Sequence, residues 1–217
     1  MKLARMLVVC SAVAVAPAAM AQKWEFGGGV GGGFYTSQDV TSPGGSASAK
    51  IQSNIAGSVW LGNNGRGRIG GELRYDYQRG DLQLTSGGTS ATFGAQTHAI
   101  HYDFLWHATP TGSKIRPFVA VGGGVKIYQG TGTETAFQPL SSFALLTKDQ
   151  DLTALLSVGA GVKVQLAPHL ALRLDVHDYL TRFPNKVIAP NQNAKVGGWL
   201  QDFVPMAGLV FTFAEGR

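Results

Sequence analysis

Three scarcities narrow what this 217-residue chain can be. Its single cysteine, Cys10, lies within the first 21 residues, so residues 22–217 carry neither a disulfide nor a thiolate nucleophile. Charged residues make up only 14% of the chain, and the net surplus of +5 includes no Lys/Arg run, which gives no reason to expect nucleic acid as a partner. Beyond the N-terminal segment there is no stretch of about eighteen apolar residues, which excludes a membrane-spanning helix. Glycine, by contrast, is plentiful at 30 residues, and 44% of the chain is hydrophobic. An apolar, glycine-rich chain without helix-period segments is read as all-β.

The first 21 residues have the layout of an export signal. Lys2 and Arg5 precede an apolar run from Leu7 to Ala19, and Ala19-Met20-Ala21 forms a small-x-small cleavage site. The run is too short and wrongly flanked to cross a bilayer. Cys10 falls inside it, with Val9 where a lipoprotein signal has a small residue, so it reads as part of the signal's apolar core. The expected organisation is a cleaved signal at 1–21, one domain at 22–213 and a short tail at 214–217.

Within the domain, side chains alternate. From Leu170 to Thr181, Leu170, Leu172, Leu174, Val176 and Leu180 share one face, interrupted by Asp178, and Ala171, Arg173, Asp175, His177 and Tyr179 share the other. Leu152–Leu166 and Arg68–Gln78 repeat the pattern. Alternation alone fits either a soluble sandwich, with its apolar face inside, or a membrane barrel, with its apolar face in lipid. The connections separate the two. Short turns at 63–67, 109–114 and 167–169 alternate with long polar segments at 37–47, 79–91, 130–150 and 182–200. Short periplasmic turns and long outer loops are the rhythm of outer-membrane barrels. Eight strands are expected, at 23–35, 49–62, 68–78, 95–107, 116–129, 152–166, 170–181 and 202–213, giving an eight-stranded antiparallel up-and-down transmembrane β-barrel.

Specific segments carry a family resemblance. Arg116-Pro117-Phe118-Val119-Ala120-Val121-Gly122-Gly123-Gly124-Val125-Lys126 resembles the fifth strand of the opacity-type and OmpX-like outer-membrane barrels, and Asp175-Val176-His177-Asp178-Tyr179-Leu180-Thr181 resembles the seventh. Gly208, Phe211 and Phe213 resemble the terminal signal read by the barrel-assembly machinery. Met206 departs from that signal where a polar residue is usual, and residues 214–217 continue past the last aromatic. The resemblance implies the bacterial outer membrane. It leaves function open, because the family includes adhesins and stress-related barrels.

An eight-stranded barrel is about wide enough inside for side chains to fill it. The alternation points Glu25, Glu72, Arg74, Asp76, His101, Asp103, Lys126, Lys163, Arg173 and Asp175 inward. Charges of both signs in a narrow lumen read as a salt-bridge network, with a narrow ion path as the alternative. The inward glycines Gly27, Gly29, Gly31, Gly33, Gly122, Gly124, Gly159 and Gly161 are expected to make room for Arg74, Arg173, Lys126 and Tyr128. The G-x-G-x-x-G pattern at Gly27–Gly32 continues into Gly33-Phe34-Tyr35 as a strand, which excludes a dinucleotide site.

No residue is assigned a catalytic or metal role, and no cofactor is expected. His98 and His101 fall on opposite strand faces, a poor metal pair, and His177 reads as a hydrogen-bonding partner in the lumen. Lipid A deacylases of similar size use a His-x-Ser pair, which does not occur here. Arg79-Gly80-Asp81 reads as the end of the third strand rather than as an adhesion motif. Phe137, Leu140, Phe143, Leu145 and Leu146 make the third loop unusually apolar, so it either packs on the barrel rim or meets a partner. The expectation is a barrel acting as a structural or surface-interaction protein. Its expected partners are outer-membrane lipid and lipopolysaccharide, the assembly machinery, and a surface partner at 130–150 and 182–200. A narrow channel is the alternative, and a lipid-modifying enzyme comes third.

Overall fold

A computed structural model describes residues 23–64, 67–135, 137–191 and 193–213. The expected signal at 1–21 and the tail at 214–217 lie outside the described residues. In chain order the strands are β1 (Lys23–Tyr35), β2 (Gln38–Ser42), β3 (Gly45–Ile51), β4 (Asn54–Asn64), β5 (Ile69–Arg79), β6 (Leu82–Ser86), β7 (Thr89–Phe93), β8 (Ala95–His107), β9 (Ile115–Gly130), β10 (Ala144–Leu146), β11 (Gln150–Ala167), β12 (Leu170–Arg182), β13 (Ile188–Pro190), β14 (Lys195–Val196) and β15 (Trp199–Phe213).

Eight of these strands close into one antiparallel barrel, running round as β1, β4, β5, β8, β9, β11, β12 and β15. The seam is the pairing of β1 with β15, from Trp24↔Phe213 to Tyr35↔Asp202. A membrane barrel inverts the usual distribution of side chains, with apolar groups outside. On β12 the odd-numbered Arg173, Asp175, His177 and Tyr179 are buried in the lumen, while Leu174 and Val176 are exposed on the outer wall. The apolar column from Leu170 to Leu180 covers ten residue steps. At ~3.3 Å per step and a tilt near 40° that is roughly 25 Å, the height of an outer-membrane apolar band. Outward aromatics mark both of its edges: Trp24, Phe104, Trp106, Phe211 and Phe213 at the end of the short turns, Phe34, Phe203 and Tyr75 toward the other.

The four long connections are not irregular loops, and here the structure corrects the sequence reading. β2, β3, β6, β7 and β14 form one five-stranded sheet in the order β14-β2-β3-β6-β7, and β10 pairs with β13. The first, second and fourth connections therefore share a sheet, and the third is stitched to the fourth. Gly87 and Gly88, with φ of +54° and +80°, close the β6–β7 hairpin between Ser86 and Thr89, a turn that requires positive φ at both positions. The strand expected at 49–62 merges two elements: 49–51 belongs to β3 in this outer sheet, and the barrel strand runs from Asn54 to Asn64.

The outer sheets bury a core of their own. Val40, Ala49, Ile51, Leu82, Leu84, Phe93, Leu146, Val187 and Ile188 pack together and continue into Ala95, Tyr128 and Leu200 at the top of the barrel. A fully buried aliphatic or aromatic side chain contributes ~1.5–3 kcal/mol, which is what orders segments that would otherwise be mobile. Of the apolar third-connection residues, Leu146 is in this core, Leu140 and Phe143 pack against it, and Phe137 is 79% exposed. Most of that apolar content therefore packs inward.

Candidate functional site

Side chains fill the lumen above a recess of about 240 Å³ at the short-turn end, which is lined by Glu25, Arg116 and Lys163. Near the short turns, Lys163 Nζ donates to Glu25 Oε2. Above them, Arg173 donates to Glu72 and to Asp175, and its guanidinium lies 4.6 Å from the Trp60 ring centroid and 4.8 Å from that of Phe118. Arg74, wholly buried, is the hub. Its Nε donates to Asp76 at 3.0 Å, its Nη1 lies 3.2 Å from Asp175 Oδ2 and 3.0 Å from His177 Nε2, and Trp60 sits 5.3 Å beneath it. His101 sits between two carboxylates, with Nε2 3.1 Å from Asp76 and Nδ1 3.1 Å from Asp103. Tyr179 donates its hydroxyl to Asp76 at 2.8 Å. At the outer end Lys126 donates to Asp202, Gln78 donates to the same carboxylate at 2.7 Å, and the rings of Tyr35, Tyr128 and Tyr179 surround the ammonium at 4.7 to 5.5 Å.

All ten residues expected to face inward lie in this network: Glu25, Glu72, Arg74, Asp76, His101, Asp103, Lys126, Lys163, Arg173 and Asp175. The sequence reading omits Arg116, Asp202 and Trp60, whereas Gln78 lies, as the alternation has it, on the same face as Glu72, Arg74 and Asp76. Asp202 shares its even-numbered parity with Val204 and Met206, but the strand was expected to start at this residue rather than at Trp199. Trp60 shares the inward face of β4 with Ala56 and Ser58 and is only 2% exposed, so alternation alone places it in the lumen. With Arg116 and Asp202 included, the buried charges are five cations (Arg74, Arg116, Lys126, Lys163, Arg173) and six carboxylates (Glu25, Glu72, Asp76, Asp103, Asp175, Asp202). A His101 ring carrying both protons donates to both of its carboxylate neighbours and brings the two signs level.

The glycines make room, but largely for other side chains than those expected. A Cβ on Gly27 would lie 2.3 Å from Trp60 Nε1, and one on Gly208 2.7 Å from the far edge of the same indole. Gly159 accommodates His177, Gly161 accommodates Asp175 and Phe118, and Gly33 accommodates Gln78. Gly122 and Gly124 let the backbone of β8 approach closely at Asp103 and His101.

One constellation calls for a chemical test. Ser157 Oγ lies 3.2 Å from His177 Nδ1, and Asp175 lies 3.9 Å from the other ring nitrogen. A hydrolytic triad needs a nucleophile that can reach substrate and a base free to take its proton. Here Ser157 and His177 are both wholly buried, Asp103 stands 3.6 Å from the same Nδ1 that faces Ser157, and Arg74 occupies Nε2. The arrangement is a junction in the network. His98 faces outward against Tyr75 Oη at 2.8 Å, well apart from His101, and His107 faces the lumen beside Phe118. Gly208, Phe211 and Phe213 lie at the end of β15, the glycine inward and the two aromatics on the lipid face.

The outer membrane protein beta-barrel domain family matches residues 6–200. The chain belongs to this family. It is therefore a protein of the bacterial outer membrane, in line with an apolar outer wall and a charged interior. Among solved structures it is similar to Neisserial surface protein A (12% identity, 88% of this chain and 97% of that one, TM-score 0.49). It is also similar to Ail, the attachment invasion locus protein of Yersinia pestis, in complex with the heparin analogue sucrose octasulfate (10% identity, 89% and 100%, TM-score 0.49). The outer membrane protease OmpT from Escherichia coli matches as well (7% identity, 91% and 100%, TM-score 0.48). Identities this low carry no residue roles across. No curated protein matches the chain.

Proposed function

We propose that this protein is a closed outer-membrane barrel that acts as a structural or surface-interaction protein through its outer sheets, and that it neither conducts solutes nor catalyses a reaction. The observation that carries the reading is the lumen itself. Its charges are buried and partnered, its centre is spanned by Arg74 and Arg173 against Trp60, and its outer end is capped by the apolar core around Tyr128 and Leu200. An ion entering such a path would have to replace fixed ion pairs without its hydration shell. The interlocked outer sheets hold one shape toward the exterior, which suits recognition. Gly208, Phe211 and Phe213 are the residues through which assembly into the membrane is proposed to begin. The deciding experiment is planar-bilayer recording of the refolded protein. No steady current is expected, and a reproducible, ion-selective current in the wild type would replace this reading with a narrow channel.

A further inference from the structure

The recess at the short-turn end of the lumen lies inside the ring of strands. Glu25 on β1, Arg116 on β9, Lys163 on β11 and Thr212 on β15 stand around its volume of about 240 Å³, with Ser113 in the turn between β8 and β9. It is blind. Ala171 in its wall packs with Trp60 and Val210, and Lys163 lies 5.8 Å from the ring centroid of Phe118, which packs with Leu105 and Ala120. Above these, Arg173 is tied to Glu72 and Asp175. Because Glu25, Arg116 and Lys163 face the lumen, the recess is reached from water and not from the bilayer.

The charge of the recess identifies its occupant. Arg116 and Lys163 line it against the single carboxylate of Glu25, so the lining carries one positive charge in excess. Both cations are nearly buried, and buried charge calls for a balancing one. At the mouth, the described residues of the short turns include the exposed Arg68 and Lys114 and no acid, so the field there draws anions in. A singly charged anion brings the recess to neutrality, whereas a dianion overshoots. A guanidinium matches the two oxygens of a carboxylate as a fork. The volume is below the ~300–1,000 Å³ of pockets that enclose a drug-sized ligand, so the recess takes the charged end of a molecule.

We infer that this recess binds the carboxylate of a small water-borne molecule, either an organic acid or the C-terminal end of a short peptide. Arg116 takes the carboxylate oxygens, Lys163 and Glu25 set the charge balance, and Ser113 and Thr212 offer hydroxyls to the rest of the molecule. The site lies at the opposite end of the barrel from the outer sheets, so it gives the protein a second binding face and does not depend on what the sheets recognise. Arg173, between the rings of Trp60 and Phe118, closes the way above it, so a bound acid is held and not passed on.

The test is a ligand-observed NMR titration of the full protein in phosphatidylcholine nanodiscs, which leave both ends of the barrel in water, empty nanodiscs being subtracted. The probes are acetate, N-acetylglycine, the neutral amide of N-acetylglycine, and inorganic phosphate. Saturable binding is expected for acetate, for N-acetylglycine or for both, and the stronger of the two tells a free acid from a peptide end. Binding is expected to weaken about tenfold or more for the amide and in R116Q, and to change less than about twofold in R68Q outside the recess. S113W fills the recess from its turn without removing a charge, so it is expected to abolish binding even if R116Q does not fold. The inference is overturned if neither carboxylate binds above empty nanodiscs, if the amide binds equally well, or if phosphate binds more tightly than both. It is also overturned if R68Q weakens binding as much as R116Q does, or if S113W binds like the wild type.

Discussion

Removing one carboxylate from the lumen tests whether it is dry. Glu72 holds Arg173 through Oε2, and its Oε1 stands 4.0 Å from Arg74 Nη1, so Glu72→Ala takes a partner from two buried guanidinium groups at once. Two charges 4 Å apart interact by ~4 kcal/mol at an effective dielectric of about 20, and breaking a buried pair on one side typically costs ~3–5 kcal/mol. Neither cation is fully stranded. Arg173 keeps Asp175 and the faces of Trp60 and Phe118, and Arg74 keeps Asp76 and Asp175. The expected loss is therefore at the lower end of that range, about 3 kcal/mol. Glu72→Gln keeps the volume and a neutral acceptor and is expected to cost about 1–2 kcal/mol, as a charged hydrogen bond becomes a neutral one. Reversible denaturant titration of the protein refolded into liposomes measures both, and planar-bilayer recording should show the alanine variant beginning to leak. A Glu72→Ala stability within about 0.5 kcal/mol of wild type, the range of ordinary surface substitutions, would refute the reasoning, because it would mean that water already solvates these cations.

Four other outcomes follow from the same geometry. Leu174 faces out near the middle of the apolar band, so Leu174→Arg should destabilise the barrel by ~2–4 kcal/mol in liposome refolding, and a neutral result would reverse the assignment of faces. Trp60→Ala should cost ~3–5 kcal/mol by opening a cavity beneath Arg74 and Arg173. Gly27→Ala drives a methyl into the indole, so its cost should be smaller in the Trp60→Ala background than alone; strict additivity in this double-mutant cycle would sink the claim that the glycine exists for the tryptophan. Leu84→Ala in the outer core should lower the local stability of the cap by ~2–5 kcal/mol and expose the connections to protease while the barrel stays intact, and unchanged protection would show that the cap does not depend on this core.

The barrel was legible wherever lipid and lumen impose opposite demands on neighbouring residues. β1 and β8 run over the expected residues, 23–35 and 95–107, because alternation there is carried by side chains as unlike as Asp103 and Phe104. The cap was illegible for a related reason. From Ala47 to Leu61 the odd positions are mostly apolar, so the pattern passes without interruption through the bend at 52–53. Ala47, Ala49 and Ile51 on that parity point into the outer core, whereas Ile55, Val59 and Leu61 on the same parity point into lipid. Periodicity reports that two faces differ but not which one meets solvent, so a strand leaving the barrel for an outer sheet looks like the same strand continuing.

The lumen shows a second limit, which concerns what counts as a partner for a charge. Reading inward positions for acids and bases finds ten members of the network but passes over Trp60 and Phe118 and counts Tyr128 only for its bulk, although the ring faces of all three lie within 6 Å of buried cations. A cation over an aromatic face gains ~2 kcal/mol or more when desolvated, so the rings belong to the electrostatics as much as to the packing. They also explain why so narrow a tube can hold five buried cations. Each of Arg74, Lys126, Lys163 and Arg173 has both a carboxylate and a ring, so a loss of one partner leaves the other in place. A lumen built this way resists hydration through shape as well as charge. Substitutions at the rings should therefore open it as effectively as substitutions at the acids, although nothing in a count of charges points to them.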